Sequence, residues 1–202
     1  MHRQICADLI KQEDDEVLFA IAEELGEIYK SHQDKTLFLP LLEQLCKSDE
    51  TVVREQACLS LIDISKQCTE AEHQNQLVPL IIRLAQSEWF TGRCSSCQLF
   101  QHSYDQAGAQ KERLRKKFLE LCQEDTPMIR RACALRLGEF GSHLDKTTLI
   151  SDLMPIFRQL AQDEQDAIRV MCLESLIKIA TKFSKEENQV HTLGTLLAAA
   201  ED

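Results

Sequence analysis

The chain has 202 residues, 44% of them hydrophobic and 28% charged, with six glycines and four prolines. Its hydrophobic content suffices for a buried core, and the scarcity of glycine and proline argues against β-rich and disordered classes. The formal net charge of −10 repels phosphate backbones and anionic lipids, so we expect no nucleic-acid and no membrane partner.

The N-terminal sequence lacks the pattern of a signal peptide, and no apolar run approaches the roughly 20 residues of a membrane span. Nine cysteines, an odd number, are poor evidence for a disulfide framework. The basic run Lys111–Lys117 is interpreted as the solvated face of a helix. These features predict a soluble protein of the cytoplasm, with the nucleus as a second location.

Apolar residues recur at helical spacing along the chain, in segments separated by short polar turns. Short turns imply antiparallel neighbours, so the helices are predicted to form pairs. The predicted pairs are His2–Gln12 with Val17–Tyr29, Thr36–Cys46 with Thr51–Lys66, Gln76–Ala85 with Phe90–His102, Gln110–Cys122 with Pro127–Leu144, and Leu149–Ala161 with Asp166–Phe183. One more first helix, Val190–Asp202, is predicted without a second.

Five copies of one spacing pattern underlie these pairs. Each copy is counted from an origin residue in the first turn of the second helix. Nine residues before every origin stands a leucine, five before it an acid, and seven after it a large apolar residue. The origins are Leu18, Arg54, Arg93, Arg130 and Arg169.

The origins lie 36, 39, 37 and 39 residues apart, close to the period of roughly 40 residues in HEAT and armadillo repeats. One helix pair cannot bury its apolar face alone, so neighbouring pairs must stack. The sequence therefore predicts an all-α fold, an α-solenoid of about five HEAT repeats plus an unpaired C-terminal helix. In this single array over residues 1–202, the repeats are placed at 1–30, 36–67, 76–105, 109–144 and 149–183, with a partial repeat at 190–202.

Prolines and threonines mark predicted features of the helices. Three prolines lie fourteen residues before an origin, namely Pro40, Pro79 and Pro155. A proline inside a helix kinks it, and a kinked first helix is typical of HEAT repeats. Thr51 and Thr126 are predicted N-caps, and Pro127 takes the first helical position.

Cys94 and Cys97 have the C-x-x-C spacing of redox and zinc motifs, and His102 follows them. A structural zinc site would need a second ligand pair, which the sequence lacks. Cysteine instead shares its repeat positions with alanine and serine, as small buried residues do. The histidines form no recognisable catalytic motif, and no phosphate-binding glycine loop is present. We therefore expect no metal, no cofactor and no enzymatic activity.

The acid and the origin arginine of each repeat, five residues apart across the turn, are interpreted as structural. Each arginine is predicted to pair with an acid and to stack one repeat on the next. An exposed pair contributes about 0 to 1 kcal/mol, so such pairs would set register more than stability. A binding role for the acids stays open.

The turns inside the helix pairs are predicted to project from one edge and to form the functional surface. Trp89, the only tryptophan, occupies a turn position that is polar in the other repeats. Its neighbours Phe90 and, one repeat on, Met128 complete the composition of a binding hot spot. The alternative is that Trp89 folds back over a helix end.

Several of these segments resemble one known family. They are DEVLFAIAEELG from Asp15, EWFTGR from Glu88, DTPMIRRA from Asp125, LGEF from Leu137 and DEQDAIR from Asp163. In the same order and spacing, they resemble the scaffold (A) subunit of protein phosphatase 2A. The resemblance covers almost the whole chain and corresponds to the second to sixth repeats of that family.

The resemblance implies a non-enzymatic scaffold. In that family the turns of the N-terminal repeats hold interchangeable regulatory (B-type) subunits, and C-terminal repeats, which we expect to be missing from this piece, hold the catalytic subunit. Carried over residue by residue, it implies partner contacts at Asp49, Glu50, Trp89, Phe90, Asp125, Thr126, Pro127, Met128, Asp163 and Glu164. Gly92, Cys94 and Cys97 depart from the family pattern.

Two other hypotheses remain. A HEAT-repeat adaptor of nuclear-transport or trafficking type would bind through the inner helix face rather than the turns. A metal or thiol enzyme would hold stoichiometric zinc or carry a reactive thiol at Cys94.

Overall fold

The computed structural model describes residues 2–11, 14–31 and 38–200, and all regular secondary structure in these ranges is helical. The predicted all-α fold is therefore confirmed. Contacts along the chain define two compact units, residues 1–114 and 115–202.

In the first unit, two helix pairs are followed by a third that is divided into shorter segments. The helices of the first two pairs are α1 (His2–Ile10), α2 (Asp15–Ser31), α3 (Leu39–Leu45) and α4 (Thr51–Ser65). The third pair consists of α5 (Glu70–Glu72), a π-helical turn (His73–Leu77), α6 (Val78–Ala85), α7 (Phe90–Cys97) and α8 (Phe100–Tyr104).

A 3₁₀ turn (Gly108–Gln110) leads into α9 (Lys111–Cys122), which begins in the first unit and ends in the second. The other elements of the second unit are α10 (Pro127–Ser142), α11 (Lys146–Thr148), a π-helical turn (Leu149–Leu153), α12 (Met154–Leu160), α13 (Asp166–Ala180), α14 (Lys185–His191) and α15 (Leu193–Ala200).

The repeat pattern locates the core. Seven residues after each origin, the side chain is at most 2% exposed in all five repeats, at Leu25, Leu61, Phe100, Leu137 and Leu176. The leucine nine residues before the origin is buried in the last four repeats, at Leu45, Leu84, Leu121 and Leu160. Both apolar positions of the pattern therefore face the packing between helices.

The predicted helix bounds differ from those in the structure, most of all in the third pair and near the C-terminus. The helix predicted from Gln76 begins earlier, at Glu70, and the one predicted from Val190 begins at Lys185 and is interrupted at Thr192. The predicted helix Phe90–His102 is interrupted after Cys97. The predicted end of the first helix at Gln12, Glu13 of the first turn, and the predicted start at Thr36 lie outside the described residues.

The interruption of α7 follows from side chains that bond to the helix backbone. Ser96 Oγ and Cys97 Sγ both donate to the carbonyl of Arg93, at 2.6 and 3.3 Å. The amide of Leu99 then donates to the carbonyl of Ser96 at 2.9 Å, three residues back rather than four. Small polar side chains that bond locally in this way compete with helical hydrogen bonds.

Two of the three prolines follow a π-helical turn. The turns His73–Leu77 and Leu149–Leu153 end one residue before the helices that carry Pro79 and Pro155. Proline cannot donate to the carbonyl four residues back, and its ring collides with that carbonyl. A π-helical turn relieves the collision, because its bonds span five residues. Pro40 lies in the first turn of α3, where no amide donor is needed.

The predicted caps are only partly correct. Thr51 is the first residue of α4 and not its N-cap, which is Glu50. Thr126 does occupy the N-cap position of α10, but its hydroxyl bonds to Glu124 Oε1 at 3.2 Å and not to the helix. Side-chain capping occurs instead at Thr69 and Ser184, each with a glutamate three residues later.

The second helices of neighbouring repeats approach closely in both units through glycine and serine. Ser60 Oγ donates to a carbonyl of α2 at 2.7 Å, and a Cβ on Gly26 would lie 3.1 Å from Ser60 Cβ. Ser175 Oγ donates to a carbonyl of α10 at 2.7 Å, and a Cβ on Gly138 would lie 2.6 Å from the Ser175 carbonyl oxygen. These glycines therefore permit near-backbone contact between successive repeats.

An ion pair also joins successive repeats in each unit. Arg83 reaches both oxygens of Glu43, with its shortest contact at 2.6 Å. Arg130 Nε donates to Asp163 Oδ2 at 2.7 Å, and these two side chains are only 11% and 6% exposed. Glu164 lies further from Arg130, at 3.5 Å.

The origin arginines bind main-chain carbonyls of their own turns. Nη1 donates to the carbonyls six and five residues earlier, at 2.8 and 2.6 Å in Arg54, 2.6 and 2.7 Å in Arg93, and 2.9 and 2.9 Å in Arg130. The predicted pairing with the carboxylate across the turn is wrong at Arg54, since the bond goes to the carbonyl of Asp49. The predicted stacking role holds at Arg130, which pairs with acids of the next repeat.

Gly138→Ala is expected to destabilise the protein. The new Cβ would meet the Ser175 carbonyl, and overpacking of this kind costs about 1 to 3 kcal/mol, more than the helix propensity that alanine gains. The matched control is Gly194→Ala, since a Cβ at Gly194 meets nothing within 4 Å. Urea unfolding should show a lower midpoint for Gly138→Ala and an equal or higher midpoint for Gly194→Ala. Equal midpoints for Gly138→Ala and wild type would contradict the close approach.

Asp163→Asn is expected to lower the free energy of unfolding by about 2 kcal/mol near neutral pH, because Arg130 loses a charged partner. Burial raises the pKa of Asp163, but hydrogen bonds from Arg130 and the Gln165 amide outweigh it and hold that pKa below its usual range. The contribution is therefore complete above the unfolded-state pKa of about 4 and is lost as pH falls through the lower folded-state pKa.

Urea unfolding of wild type and Asp163→Asn at several pH values checks this prediction. The difference in unfolding free energy should be largest near neutral pH and shrink in acid. A difference that stays constant down to about pH 2 would show that Asp163 stabilises the fold other than by its charge.

Candidate functional site

In the first unit, the predicted site residues lie in two turns that are adjacent in space. Asp49 and Glu50 lie between α3 and α4, Trp89 lies between α6 and α7, and Phe90 is the first residue of α7. Thr91 Oγ1 donates to the carbonyl of Lys47 at 3.0 Å, so the start of α7 rests against the turn that follows α3. The structure thus brings these four predicted residues to one region.

Trp89 is exposed because of its position in the turn. It is the N-cap residue of α7 with extended backbone angles, φ −81° and ψ 133°. The carbonyl of the preceding residue, Glu88, is bound by Arg93 at 2.7 Å, which fixes the turn. The Trp89 side chain is 71% exposed and the Phe90 side chain 37%. The alternative prediction, that Trp89 folds back over a helix end, is not what the structure shows.

Gly92 explains how α7 can lie so close to its own turn. A Cβ on Gly92 would lie 2.9 Å from Ser87 Cβ and 3.2 Å from Lys47 Cγ. A larger residue would therefore push the start of α7 away from both segments. In the sequence, Gly92 stands out only as a departure from the family pattern. The close approach that it permits involves Lys47 of the preceding repeat, which the sequence pattern does not report.

In the second unit, Arg130 links the two predicted turns. Its Nη1 binds the carbonyl of Asp125 at 2.9 Å, and its other nitrogens reach the acids Asp163 and Glu164 of the next repeat. One guanidinium therefore holds the turn after α9 beside the turn after α12.

The predicted residues of the second unit differ in exposure. Asp125, Pro127, Met128 and Glu164 are exposed, and Met128 is 56% exposed. Thr126 is half-buried, and its hydroxyl is bonded to Glu124. Asp163 points inward and forms an ion pair with Arg130, so its carboxylate stabilises the fold. The outward-facing surface consists of the other four residues together with Asp166, whose side chain is 88% exposed.

The charge of both turn regions is negative on the outside. The arginines direct Nη1 inward to carbonyls, whereas the carboxylates of Asp49, Glu50 and Asp125 are exposed and make no ion pair within the described residues. An acidic rim around large apolar side chains is complementary to a partner that presents basic groups around apolar pockets.

Helix faces carry further exposed apolar side chains that the sequence analysis did not single out. Val52 and Leu59 on α4 are 55% and 52% exposed, and Val170 and Ile177 on α13 are 55% and 59% exposed. Each pair is seven residues apart and so lies on one helix face. The sequence shows that these four residues are apolar, but it does not show that their side chains are exposed.

The residues considered for catalysis or metal binding do not assemble. Cys97 is buried, and Cys94 is half-buried. Burial raises the pKa of Cys172 to about 12, which disfavours the reactive thiolate. Among the described residues, no group of three or more histidines, cysteines or acids could hold a metal ion.

His73 belongs to a residue type that is common in active sites, but here its side chain packs inside the fold. It is fully buried, and its Nε2–H donates to the carbonyl of Ser65 at 2.9 Å. Burial lowers its pKa, so the neutral ring is favoured.

None of the helices in the described part of the chain combines the length and the apolar composition of a membrane span.

A HEAT repeat model matches residues 38–68. A Caenorhabditis elegans protein described as a probable serine/threonine-protein phosphatase PP2A regulatory subunit is 40% identical over 187 residues, which are 90% of this chain and 31% of that protein. The protein phosphatase 2A scaffold subunit of Dictyostelium discoideum is 38% identical over 154 residues, 74% of this chain and 26% of that protein. The chain thus spans less than a third of either relative.

Among solved structures, a designed armadillo repeat protein superposes with a TM-score of 0.56 at 11% identity, covering 98% of this chain and 90% of that chain. This likeness concerns the fold and supports the α-solenoid class. The sequence matches, the HEAT repeat match and the turn segments agree with one another. Over most of its length the chain is thus similar to scaffold (A) subunits of protein phosphatase 2A, and it contains a HEAT repeat.

Proposed function

We propose that this chain is a non-catalytic scaffold that binds a B-type regulatory subunit of protein phosphatase 2A through its intra-repeat turns. The observation that carries the proposal is the exposed indole of Trp89, 71% accessible at a turn position that is polar in the other repeats. Tryptophan is enriched at the centres of protein interfaces, and a side chain of this size left in water gains most from a partner.

The surroundings of Trp89 support binding rather than packing. Phe90 adds a second exposed aromatic ring, and Asp49 and Glu50 lie in the adjacent turn. An aromatic centre with a charged rim is the usual composition of a binding surface. The turns of the second unit repeat this arrangement, with Met128 as the exposed apolar residue and Asp125 and Glu164 as the acids.

The exposed carboxylates indicate the chemistry of the partner. Arg54 binds carbonyls through Nη1 and Arg130 pairs with acids of the next repeat, so the carboxylates of Asp49, Glu50 and Asp125 are not neutralised by them. A regulatory subunit would therefore meet these turns with lysine or arginine side chains. In this proposal the catalytic subunit makes no contact with these turns, and C-terminal repeats of the scaffold family hold it.

Trp89→Ala is expected to weaken binding of a purified B-type regulatory subunit by about 2 kcal/mol, or about 30-fold in Kd. The reason is loss of the largest apolar surface available to the partner. The matched control is Leu59→Ala, since Leu59 is also exposed but lies in the middle of α4, away from the turns. Titration calorimetry gives both affinities. If Leu59→Ala weakens binding and Trp89→Ala leaves the affinity unchanged, the result would favour an adaptor that binds through its helix face.

Asp125→Arg is expected to slow association with the same subunit by about tenfold at low ionic strength, because it replaces an attractive charge by a repulsive one. The matched control, Glu174→Arg, makes the same charge change at an exposed position on α13 of the same unit. Biolayer interferometry measures both association rates. The Asp125→Arg effect should shrink with added salt. Equal rates for the two variants would mean that only net charge matters.

A further inference from the structure

In the second, third and fourth repeats, the packing between the two helices uses two positions that hold small residues, eight before and four after the origin. In the third and fourth repeats one of the two is cysteine and the other alanine, in the pairs Ala85 with Cys97 and Cys122 with Ala134. In the second repeat both positions are cysteine, Cys46 and Cys58. The second repeat therefore places two thiols where the third and fourth repeats each place one.

The two thiols touch each other in the structure. The Sγ atoms of Cys46 and Cys58 are 3.7 Å apart, and both side chains are fully buried as free thiols. Cys46 follows the last residue of α3 as its C-cap, and Cys58 lies in the middle of α4. A disulfide would require the sulfur atoms to approach to about 2.05 Å, a shift that the end of a helix accommodates more easily than its middle.

The pair is also joined to α7. Ser95 Oγ donates to the carbonyl of Cys46 at 2.7 Å, and Cys58 Sγ lies 3.6 Å from the carbonyl of Ser95 as a weak donor. Thr91 on the same helix bonds the carbonyl of Lys47, the residue after Cys46. The two sulfur atoms thus lie where α3, α4 and α7 meet.

We propose that Cys46 and Cys58 form a modification site, at which a peroxide closes an intramolecular disulfide. The Cys58 thiolate attacks one oxygen of hydrogen peroxide, the O–O bond breaks, and Cys58 sulfenic acid and hydroxide form. The Cys46 sulfur then attacks the Cys58 sulfur, the S–O bond breaks, and water leaves. In total, two thiols and one peroxide give one disulfide and two waters, so the thiols are oxidised and the peroxide is reduced.

The order of the two steps follows from the contact itself. The hydrogen bond with Cys46 lowers the pKa of Cys58 against the opposing effect of burial, whereas the same contact and burial raise the pKa of Cys46. These directions favour Cys58 as the attacking thiolate and Cys46, at the end of α3, as the thiol that resolves the sulfenic acid. Hydrogen peroxide is small and uncharged, so brief opening at the end of α3 suffices to admit it.

Peptide mapping of the full chain tests the proposal. Native protein is treated with hydrogen peroxide, remaining thiols are alkylated, and tryptic fragments are identified by mass spectrometry. Residues 36–47 and 55–66 form two tryptic peptides that each contain a single cysteine, Cys46 and Cys58. The expected product is these two peptides joined, lighter by two hydrogen atoms than their sum and separated by dithiothreitol.

The variants Cys46→Ala and Cys58→Ala serve as controls. They recreate, at the second repeat, the Ala–Cys pair of the third and the Cys–Ala pair of the fourth, so both are expected to fold with wild-type circular dichroism. Neither can form the joined product. In Cys46→Ala, Cys58 loses both the hydrogen bond that lowers its pKa and its resolving thiol. It should therefore lose its thiol more slowly than in wild type, and the sulfenic acid that does form should be trapped by dimedone.

The rates of thiol loss complete the test. In wild type, Cys58 should lose its thiol about tenfold faster than the buried Cys97 and Cys122, whose counterpart in the repeat is alanine. Joined peptides that form only in urea, or equal loss at Cys58, Cys97 and Cys122, would overturn the proposal. A product that joins two chains rather than one would do the same.

Discussion

The carbonyl groups of the turn inside each repeat lie beyond the end of the first helix, and the repeats depend on how these groups are bonded. In three consecutive repeats, one guanidinium bonds these groups. Nη1 donates to two successive carbonyls of its own turn in Arg54, Arg93 and Arg130. Further donors come from the next repeat. Thr91 and Ser95 of α7 donate to the carbonyls of Lys47 and Cys46, which follow α3.

This bonding determines which way the turn side chains point. When the carbonyls of two successive turn residues face inward to an arginine, the residue that follows them caps the second helix and lies outside the core. Trp89 is that residue in the third repeat, and its exposure follows from the backbone. The same bonding engages the positive charges and leaves carboxylates such as Asp49 outside. A structural need at the helix ends thus produces an acidic surface with an exposed aromatic residue.

The sequence predicted the features that depend on spacing. The period, the buried columns and the starts of α4, α10 and α13 could be derived because apolar periodicity and turn length determine them. The role of Arg54 could not, because an arginine near an acid looks the same whether it binds the carboxylate or the carbonyl. The π-helical turns before Pro79 and Pro155 were predicted only as kinks. The role of Gly138 depends on Ser175 in another helix, and no local pattern reports that contact.

Asp163 shows why a candidate site residue can have a role in the fold. Its position in the repeat is occupied by Ser48, Ser87 and Glu124 in the three preceding repeats, and nothing in that pattern indicates a partner one repeat back. The structure places its carboxylate on Arg130. The neighbouring Glu164 is exposed and reaches the same arginine only at 3.5 Å. Of the two adjacent acids, Asp163 thus joins two repeats and Glu164 faces outward.

A repeated fold supplies an internal reference for every position, because most residues have four counterparts in the same chain. A residue that matches its counterparts is explained by the repeat, as the buried leucines are. A residue that differs from them needs another explanation. Trp89 in a polar position is one such case, and the adjoining thiols of Cys46 and Cys58 are another. Both lie at junctions where α7 meets the preceding repeat, so departures from the repeat concentrate where α7 packs on its neighbour.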